Sequence, residues 1–220
     1  MIYVIDKSNR HAYERQLEDM FRIRHDIYVT RRGWRALAKP DGRDIDQFDT
    51  DETVYLLGIN DAGEVTAGLR LNPTVGPHLI KEIFPHAVTK REIPISPDIY
   101  EFTRWFVVKE RVDPADNKRL AGELLAAMFE YGLQNGLTHF TLLCDSFFLR
   151  TMRELHWDVA TMGEPTPYDE GKCIAVIFPA SQENLDNTRA ARGITESVLR
   201  RLPRPIPAPS NDNTKTMEAA

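Results

Sequence analysis

The segment from Tyr100 to Lys109, Tyr-Glu-Phe-Thr-Arg-Trp-Phe-Val-Val-Lys, has the aromatic and β-branched content of a core strand, yet it carries Glu101 and Arg104. Neither a carboxylate nor a guanidinium can leave water inside a sheet unless it finds a partner. A fold built on this strand therefore needs a polar cleft beside it. Strict alternation places Glu101 and Arg104 on opposite faces, where they serve separate contacts. The alternative is a β-bulge between them that turns both towards one cleft, as bulges beside active sites do.

Around this strand the hydrophobic pattern predicts one α/β domain over 1–202 and a flexible tail over 203–220. Met1 to Ile5 reads as a strand. Ser8 or Asn9 is placed to cap a helix running to about Val29, with Tyr13, Leu17, Met20, Phe21, Arg24 and Tyr28 on its 3.6-residue period. "TVYLLGI" and "EVTAGLRL" form a hairpin around "NDAG". "PHLIKEIF" reads as a short helix, Asn117 to Gln134 as an amphipathic one, "THFTLLC" and "KCIAVIFP" as strands, "SFFLRTMRELHW" as a helix and Ser181 to Leu202 as a polar helix. This order predicts a mixed sheet covered by helices in a three-layer α-β-α arrangement.

The net charge of −5 argues against a nucleic-acid or anionic-membrane binder. No stretch approaches the roughly 20 apolar residues of a membrane span, and the N-terminus lacks signal-peptide features. Two cysteines without metal-ligand spacing fit a reducing compartment, so the cytoplasm is the expected location. His residues show no ligand spacing, and there is no GxGxxG or serine elbow. Neither a metal nor a dinucleotide cofactor is expected. Cys144, in the buried-strand pattern "FTLLC", reads as a small core hydrophobe rather than a nucleophile.

The charged positions converge. Arg24 interrupts an apolar helical stripe, and needs either a facing carboxylate or a snorkelling path to the helix edge. Arg70 points away from the Val65, Ala67, Leu69 and Leu71 face, and Thr103 crowds beside Glu101 and Arg104. Between the first helix and the hairpin lies a loop of more than twenty residues containing Asp41, Asp44, Asp46, Asp49, Asp51 and Glu52. Its spacing fails as a calcium loop, and loops of this length in compact domains commonly bind something. Trp34 and Phe48 beside those acids suit a cationic ligand. Together the arginines, acids and aromatics fit a small ligand of both charges, an α-amino acid with a further cationic centre.

"FRIRHDIYVTRRGW", "DIDQFD", "GLRLNPT" followed by Phe84, and "YEFTRW" resemble, in order and spacing, the motifs of the acyl-homoserine lactone synthases, the quorum-sensing autoinducer synthases. The resemblance covers roughly residues 20 to 106. It implies a fold related to the GCN5-type N-acetyltransferases and S-adenosylmethionine as substrate, with no cofactor. The amine of S-adenosylmethionine attacks an acyl thioester; the carboxylate then displaces sulfur at the γ-carbon, releasing lactone and methylthioadenosine. Matched positions are Arg24, Tyr28, Trp34, Asp46, Asp49, Arg70, Phe84, Glu101 and Arg104. Thr103 joins the S-adenosylmethionine site, and Glu101, then Asp46, is the expected base, with Arg104 beside them. Tyr28 stands where the family usually has phenylalanine, Asp44 where glutamate is common and Trp105 where phenylalanine is common.

For the acyl donor, the segment "RVDPADNKRLAG" has only one late glycine, which favours acyl carrier protein over free coenzyme A. Lys109, Arg111, Lys118, Arg119, Arg150 and Arg153 would form a basic patch for an acidic carrier. Thr141 resembles a family position associated with 3-oxo-acyl chains, and Cys144 and Met128 are the accompanying acyl-chain positions. The rival readings are a coenzyme A-dependent N-acyltransferase of the same fold acting on another amine, and a non-catalytic ligand sensor.

Overall fold

The structure, a computed structural model, describes residues 1–168 and 171–200. Strand β1 (Ile2–Ile5) is wholly buried. The expected cap at Ser8 or Asn9 is not used: Asn9 donates from Nδ2 to Val4 O and accepts from Asp6 N, closing a turn, so that α1 spans Glu14–Arg24. The next seven residues, His25–Arg31, wind as a π-helix rather than ending at Val29. Such widened turns are frequent at functional sites, and this one delivers buried Tyr28.

Strands β2 (Val54–Ile59) and β3 (Val65–Pro73) form the predicted hairpin, and β3 pairs antiparallel with β4 (Ile99–Val107). A short α2 (Leu79–Glu82) lies between them in sequence. After α3 (Asn117–Gln134), β5 (His139–Cys144) runs parallel to β4 through only three pairs, from Ile99↔His139 to Glu101↔Thr141. Beyond Glu101 the two strands separate. Helix α4 (Ser146–Glu154) begins with Asp145 accepting from Phe148 N, as an N-cap should. The short strands β6 (Ala160–Thr161) and β7 (Thr166–Tyr168) both pair with β8 (Gly171–Pro179), which also pairs with β5.

Helix α5 (Gln182–Arg192) stops ten residues short of the expected Leu202, because Gly193 takes the left-handed conformation that ends helices (φ 65°). The chain then returns to the sheet as β9 (Leu199–Arg200), parallel to β1. Buried Glu130 on α3 accepts from Ser197 Oγ, Val198 N, Leu199 N and Arg189 Nη2 and so fixes this return. The end of the expected helix at 201–202 and the tail from 203 lie outside the described residues.

The sheet order is β6-β8-β5-β4-β3-β2-β1-β9. One face packs on α3, α4 and α5 through a core that includes Leu124, Phe129, Phe140, Met152 and Phe178. The other packs on α1 through Tyr13, Leu17 and Met20, and on α2 through Ile80. This is the three-layer arrangement expected from the sequence. Among the described residues no helix is long and apolar enough to cross a membrane.

The β3–β4 ladder contains the bulge that the charge pattern raised as an alternative. Its register runs Ala67↔Val107 and Gly68↔Phe106, then resumes at Arg70↔Thr103, so Arg104 and Trp105 together oppose Leu69. Arg104 adopts φ 54°, a left-handed conformation uncommon for a side-chain-bearing residue. Beside the bulge, a Cβ on Gly68 would lie 2.7 Å from the Phe106 ring and 2.9 Å from Leu57 Cδ2. Gly68→Ala is therefore expected to destabilise the fold by about 1–3 kcal/mol, the usual range for overpacking. A urea unfolding midpoint unchanged from wild type would show that this register tolerates a side chain.

Candidate active site

Arg24 at the end of α1 donates from Nε to Asp44 Oδ2 (3.0 Å) and from Nη1 and Nη2 to the two oxygens of Asp49 (2.8 and 2.9 Å). Arg70, from β3, donates to Asp46 Oδ1 and Oδ2 (2.6 and 3.3 Å), approaches Asp49 Oδ2 (3.0 Å) and reaches Thr103 Oγ1 through Nε (3.0 Å). Arg104, turned by the bulge, donates to both oxygens of Asp44 (2.7 and 3.2 Å) and to Asp46 Oδ2 (2.9 Å). The three guanidinium and three carboxylate charges balance formally.

Nearly all of this network is buried, with Arg24 and Arg70 at 0% exposure. Isolated charges there would be prohibitive, so the loop acids and the arginines stabilise one another's burial. Burial alone disfavours ionisation of Asp44 and Asp49, but the guanidinium groups outweigh it: Arg24 and Arg104 hold Asp44 below the usual carboxylate range, and Arg70 and Arg24 do so for Asp49. Tyr55 adds a hydroxyl donor to Asp49 Oδ1 (2.9 Å), and Asp49 Oδ2 accepts Asp46 N (2.9 Å), tying the loop to itself and to the sheet.

Asp46 and Arg104 are the network members that reach a cavity of about 660 Å³, within the usual range for small-molecule sites. Tyr28 and Trp34 stack above them with centroids 5.1 Å apart and planes inclined by 23°. The Arg104 guanidinium lies 5.2 Å from the Tyr28 ring centre, and the Tyr28 hydroxyl donates to Trp105 O (2.8 Å), a carbonyl in the bulge. Phe84 borders the cavity on another side. Away from this polar end, Phe102, Trp105, Leu125, Leu142 and Phe148 make an apolar branch where β4 and β5 diverge. Phe148 meets Phe102 and Trp105 edge-on at 6.0 and 5.5 Å.

Glu101 is fully buried immediately behind this wall. Its two oxygens accept Leu79 N and Ile80 N (both 2.8 Å), so it caps α2 from a neighbouring strand. Desolvation pushes its pKa up to about 7, only partly opposed by the Ile80 and Leu79 amides. Leu79 and Thr103, which adjoin it, line the cavity. The carboxyl is thus poised to exchange a proton near neutral pH one residue behind the site.

Of the sequence-predicted residues, Tyr28, Trp34, Asp46, Phe84, Thr103, Arg104 and Cys144 line the cavity. Arg24, Asp49 and Arg70 do not; they hold the floor from behind. The acidic run does not face a ligand as a whole: Asp44 and Asp49 are occupied by arginines behind the floor, and Asp46, though paired with Arg70 and Arg104, is the member that lines the cavity. Met128 and Thr141 are buried away from the cavity wall: Met128 lies a turn beyond Leu125 in the main core, and Thr141 keeps a buried hydroxyl with no partner among the described residues. Burial pushes the Cys144 thiol up to about 12, consistent with its reading as unreactive.

Half of the expected basic patch is engaged internally. Arg111 pairs with Asp19, Arg119 with Glu123 and Arg150 with Glu154. Sequence reasoning did not assign Asp44 a site role, although its spacing to Asp46 and Asp49 was a usable signal. It also missed the Leu79 and Ile80 amides and Phe148, whose roles depend on distant packing.

The family model described as autoinducer synthase matches residues 8–188. An isovaleryl-homoserine lactone synthase from Bradyrhizobium diazoefficiens is 36% identical over 204 residues, covering 93% of this chain and 91% of that protein. The solved structure of a CoA-dependent acyl-homoserine lactone synthase with SAM and isopentyl-CoA is 34% identical, with a TM-score of 0.84 over 91% of this chain and 92% of that one. A putative N-acetyltransferase from Lactobacillus plantarum, 18% identical with a TM-score of 0.54 over 82% of this chain and 99% of that one, shares the fold.

Removing one member of the charge network leaves buried guanidinium groups without a counter-charge. Asp44→Ala is expected to destabilise the protein by about 3–5 kcal/mol, measured by denaturant unfolding at pH 7. Because the folded pKa values of Asp44 and Asp49 lie below the ordinary 3.8, their contribution is present above pH 3.8 and lost as pH falls from there through the folded values. Asp44→Asn should reduce that acid-side loss, and an unchanged acid-unfolding slope would contradict the assignment.

Proposed function

The chain belongs to the autoinducer synthase family and is an acyltransferase, an acyl-homoserine lactone synthase; within that activity we propose that the polar end of its cavity binds S-adenosylmethionine and the apolar branch an acyl-coenzyme A. The observation that carries this reading is the pairing of Asp46 and Arg104 on one cavity floor beneath stacked Tyr28 and Trp34. An α-amino acid presents an ammonium and a carboxylate a few ångströms apart, which match those two groups, and the aromatic faces suit a sulfonium.

In this arrangement the amine must lose a proton before its lone pair attacks the thioester carbonyl carbon. Asp46 is held by two arginines and serves as an anchor. Glu101, with its pKa near 7, takes the proton through water entering between Leu79 and Thr103. An N–C bond forms, the C–S bond of the thioester breaks, and the thiolate leaves with a proton. A carboxylate oxygen then attacks the γ-carbon, closing the lactone as the C–S⁺ bond electrons return to sulfur and methylthioadenosine departs. Backbone N–H groups of β4 beyond Glu101, where β5 has moved away, are donors for the thioester oxygen.

Coenzyme A is preferred as donor because Arg111, Arg119 and Arg150 are paired internally and because the relative at 34% identity is a CoA-dependent synthase. The branch walled by Phe102, Trp105 and Phe148 suits a short or branched apolar chain. A 3-oxo chain is the second reading; its keto oxygen would have to reach the Thr141 hydroxyl, which has no partner among the described residues but lies behind the cavity wall. Product mass spectrometry with S-adenosylmethionine and matched acyl-coenzyme A and acyl-carrier panels decides among these donors. Lactone and methylthioadenosine from a short-chain acyl-coenzyme A support the proposal, whereas turnover confined to acyl-carrier substrates overturns the donor assignment.

Glu101→Gln should retain S-adenosylmethionine binding while turnover falls at least about a hundredfold. Since a base acts when deprotonated, wild-type activity should rise with pH through about 7 and this limb should vanish in the variant. An identical pH profile in Glu101→Gln would remove Glu101 from the role.

A further inference from the structure

Arg192, the last residue of α5, crosses α3 at Gly122. A Cβ at Gly122 would lie 2.4 Å from Arg192 Cγ and 2.8 Å from its Cβ, so no larger residue fits without displacing the arginine. Through this notch the half-buried side chain joins the cavity wall beside Ala121 and Leu125. Its Nε is buried without an acceptor, and the guanidinium has no ion-pair partner among the described residues. Nearby arginines differ: Arg119, Arg150 and Arg189 are paired with Glu123, Glu154 and Glu130.

An unpaired guanidinium in a cavity wall is a site for an anion, and its planar fork matches phosphate. It lies along the α3 flank of the apolar branch, away from the Asp46 and Arg104 floor that takes the amino-acid substrate. We propose that Arg192 binds the phosphate of the acyl donor's phosphopantetheine portion, a group shared by coenzyme A and acyl carrier protein, and that Gly122 exists to admit it. This rests on the acyl-transfer reading above. The late glycine of "RVDPADNKRLAG" thus serves an arginine from another helix and need not form a phosphate-binding turn.

The test compares one acyl group on coenzyme A, phosphopantetheine, carrier protein and phosphate-free pantetheine. Arg192→Gln should raise KM for the phosphate-bearing donors about tenfold, the scale of one hydrogen bond to a charged group. It should leave KM for acyl-pantetheine and for S-adenosylmethionine unchanged. Arg192→Lys should recover part of the loss, and Gly122→Ala should reproduce it. Binding of free coenzyme A by calorimetry should weaken in parallel, and an effect confined to the coenzyme A and carrier arms, absent with acyl-phosphopantetheine, would place the contact elsewhere on the donor. Equal losses with acyl-pantetheine, or no loss with any donor, would overturn the proposal. Failure of the wild type to form lactone from every donor would instead count against the functional reading, while coenzyme A binding would still report on Arg192.

Discussion

The mutual burial of three arginines and three aspartates organises this protein. Arg24 comes from a helix, Arg70 and Arg104 from neighbouring strands, and Asp44, Asp46 and Asp49 from an otherwise irregular loop. None of these charges could occupy its place alone, because desolvating an unpaired ion costs more than a domain's net stability can absorb. The loop is consequently ordered by electrostatics rather than by regular secondary structure. Its path in turn presents Asp46 to the cavity while keeping Asp44 and Asp49 behind it.

Two departures from regular geometry make room for chemistry. The β4 bulge rotates Arg104 onto the same side as Glu101, Arg70 and Thr103, and the left-handed backbone at Arg104 is held by the contacts its side chain makes with Asp44 and Asp46. The separation of β4 from β5 after Glu101 opens the sheet at the same place. On the facing side the π-helix brings Tyr28 over Arg104, and its hydroxyl bond to Trp105 O ties that irregular helix to the irregular strand. Where the family usually has phenylalanine, this chain has an additional tether between the cavity roof and its floor.

Glu101 and Asp46 sit in contrasting surroundings beside the same cavity. Asp46 is fixed between Arg70 and Arg104 at the cavity floor. Glu101 accepts only the Leu79 and Ile80 amides among the described residues, and its burial, which those amides offset in part, pushes its pKa up to about 7. The apolar branch is built differently, from aromatic edges, with Arg192 in its wall lacking an ion-pair partner among the described residues. The polar half of the cavity is thus preorganised by ion pairs, whereas the apolar half depends on packing between helices and the divided sheet.

The element order, the hairpin, the helix at Asn117–Gln134 and the three-layer class were legible in the sequence, because hydrophobic periodicity reports which face of each element is buried. The charged positions were legible too: arginines on apolar stripes demand acids, and the loop supplied them. The family motifs carried the same residues. What the sequence did not contain was assignment of partners, since Arg24, Arg70 and Arg104 could each have met any nearby acid or a ligand, and only the folded geometry divided them into wall and floor. It also left open whether a bulge would unite Glu101 with Arg104. Helix ends at Asn9 and Gly193 were misjudged because capping depends on local backbone competition, and the place of Arg192 depends on where α5 stops and which α3 residue lacks a side chain. Periodicity and composition fix what must be buried; which buried groups meet is decided by distances between segments far apart in the chain, and those exist only once the chain has packed.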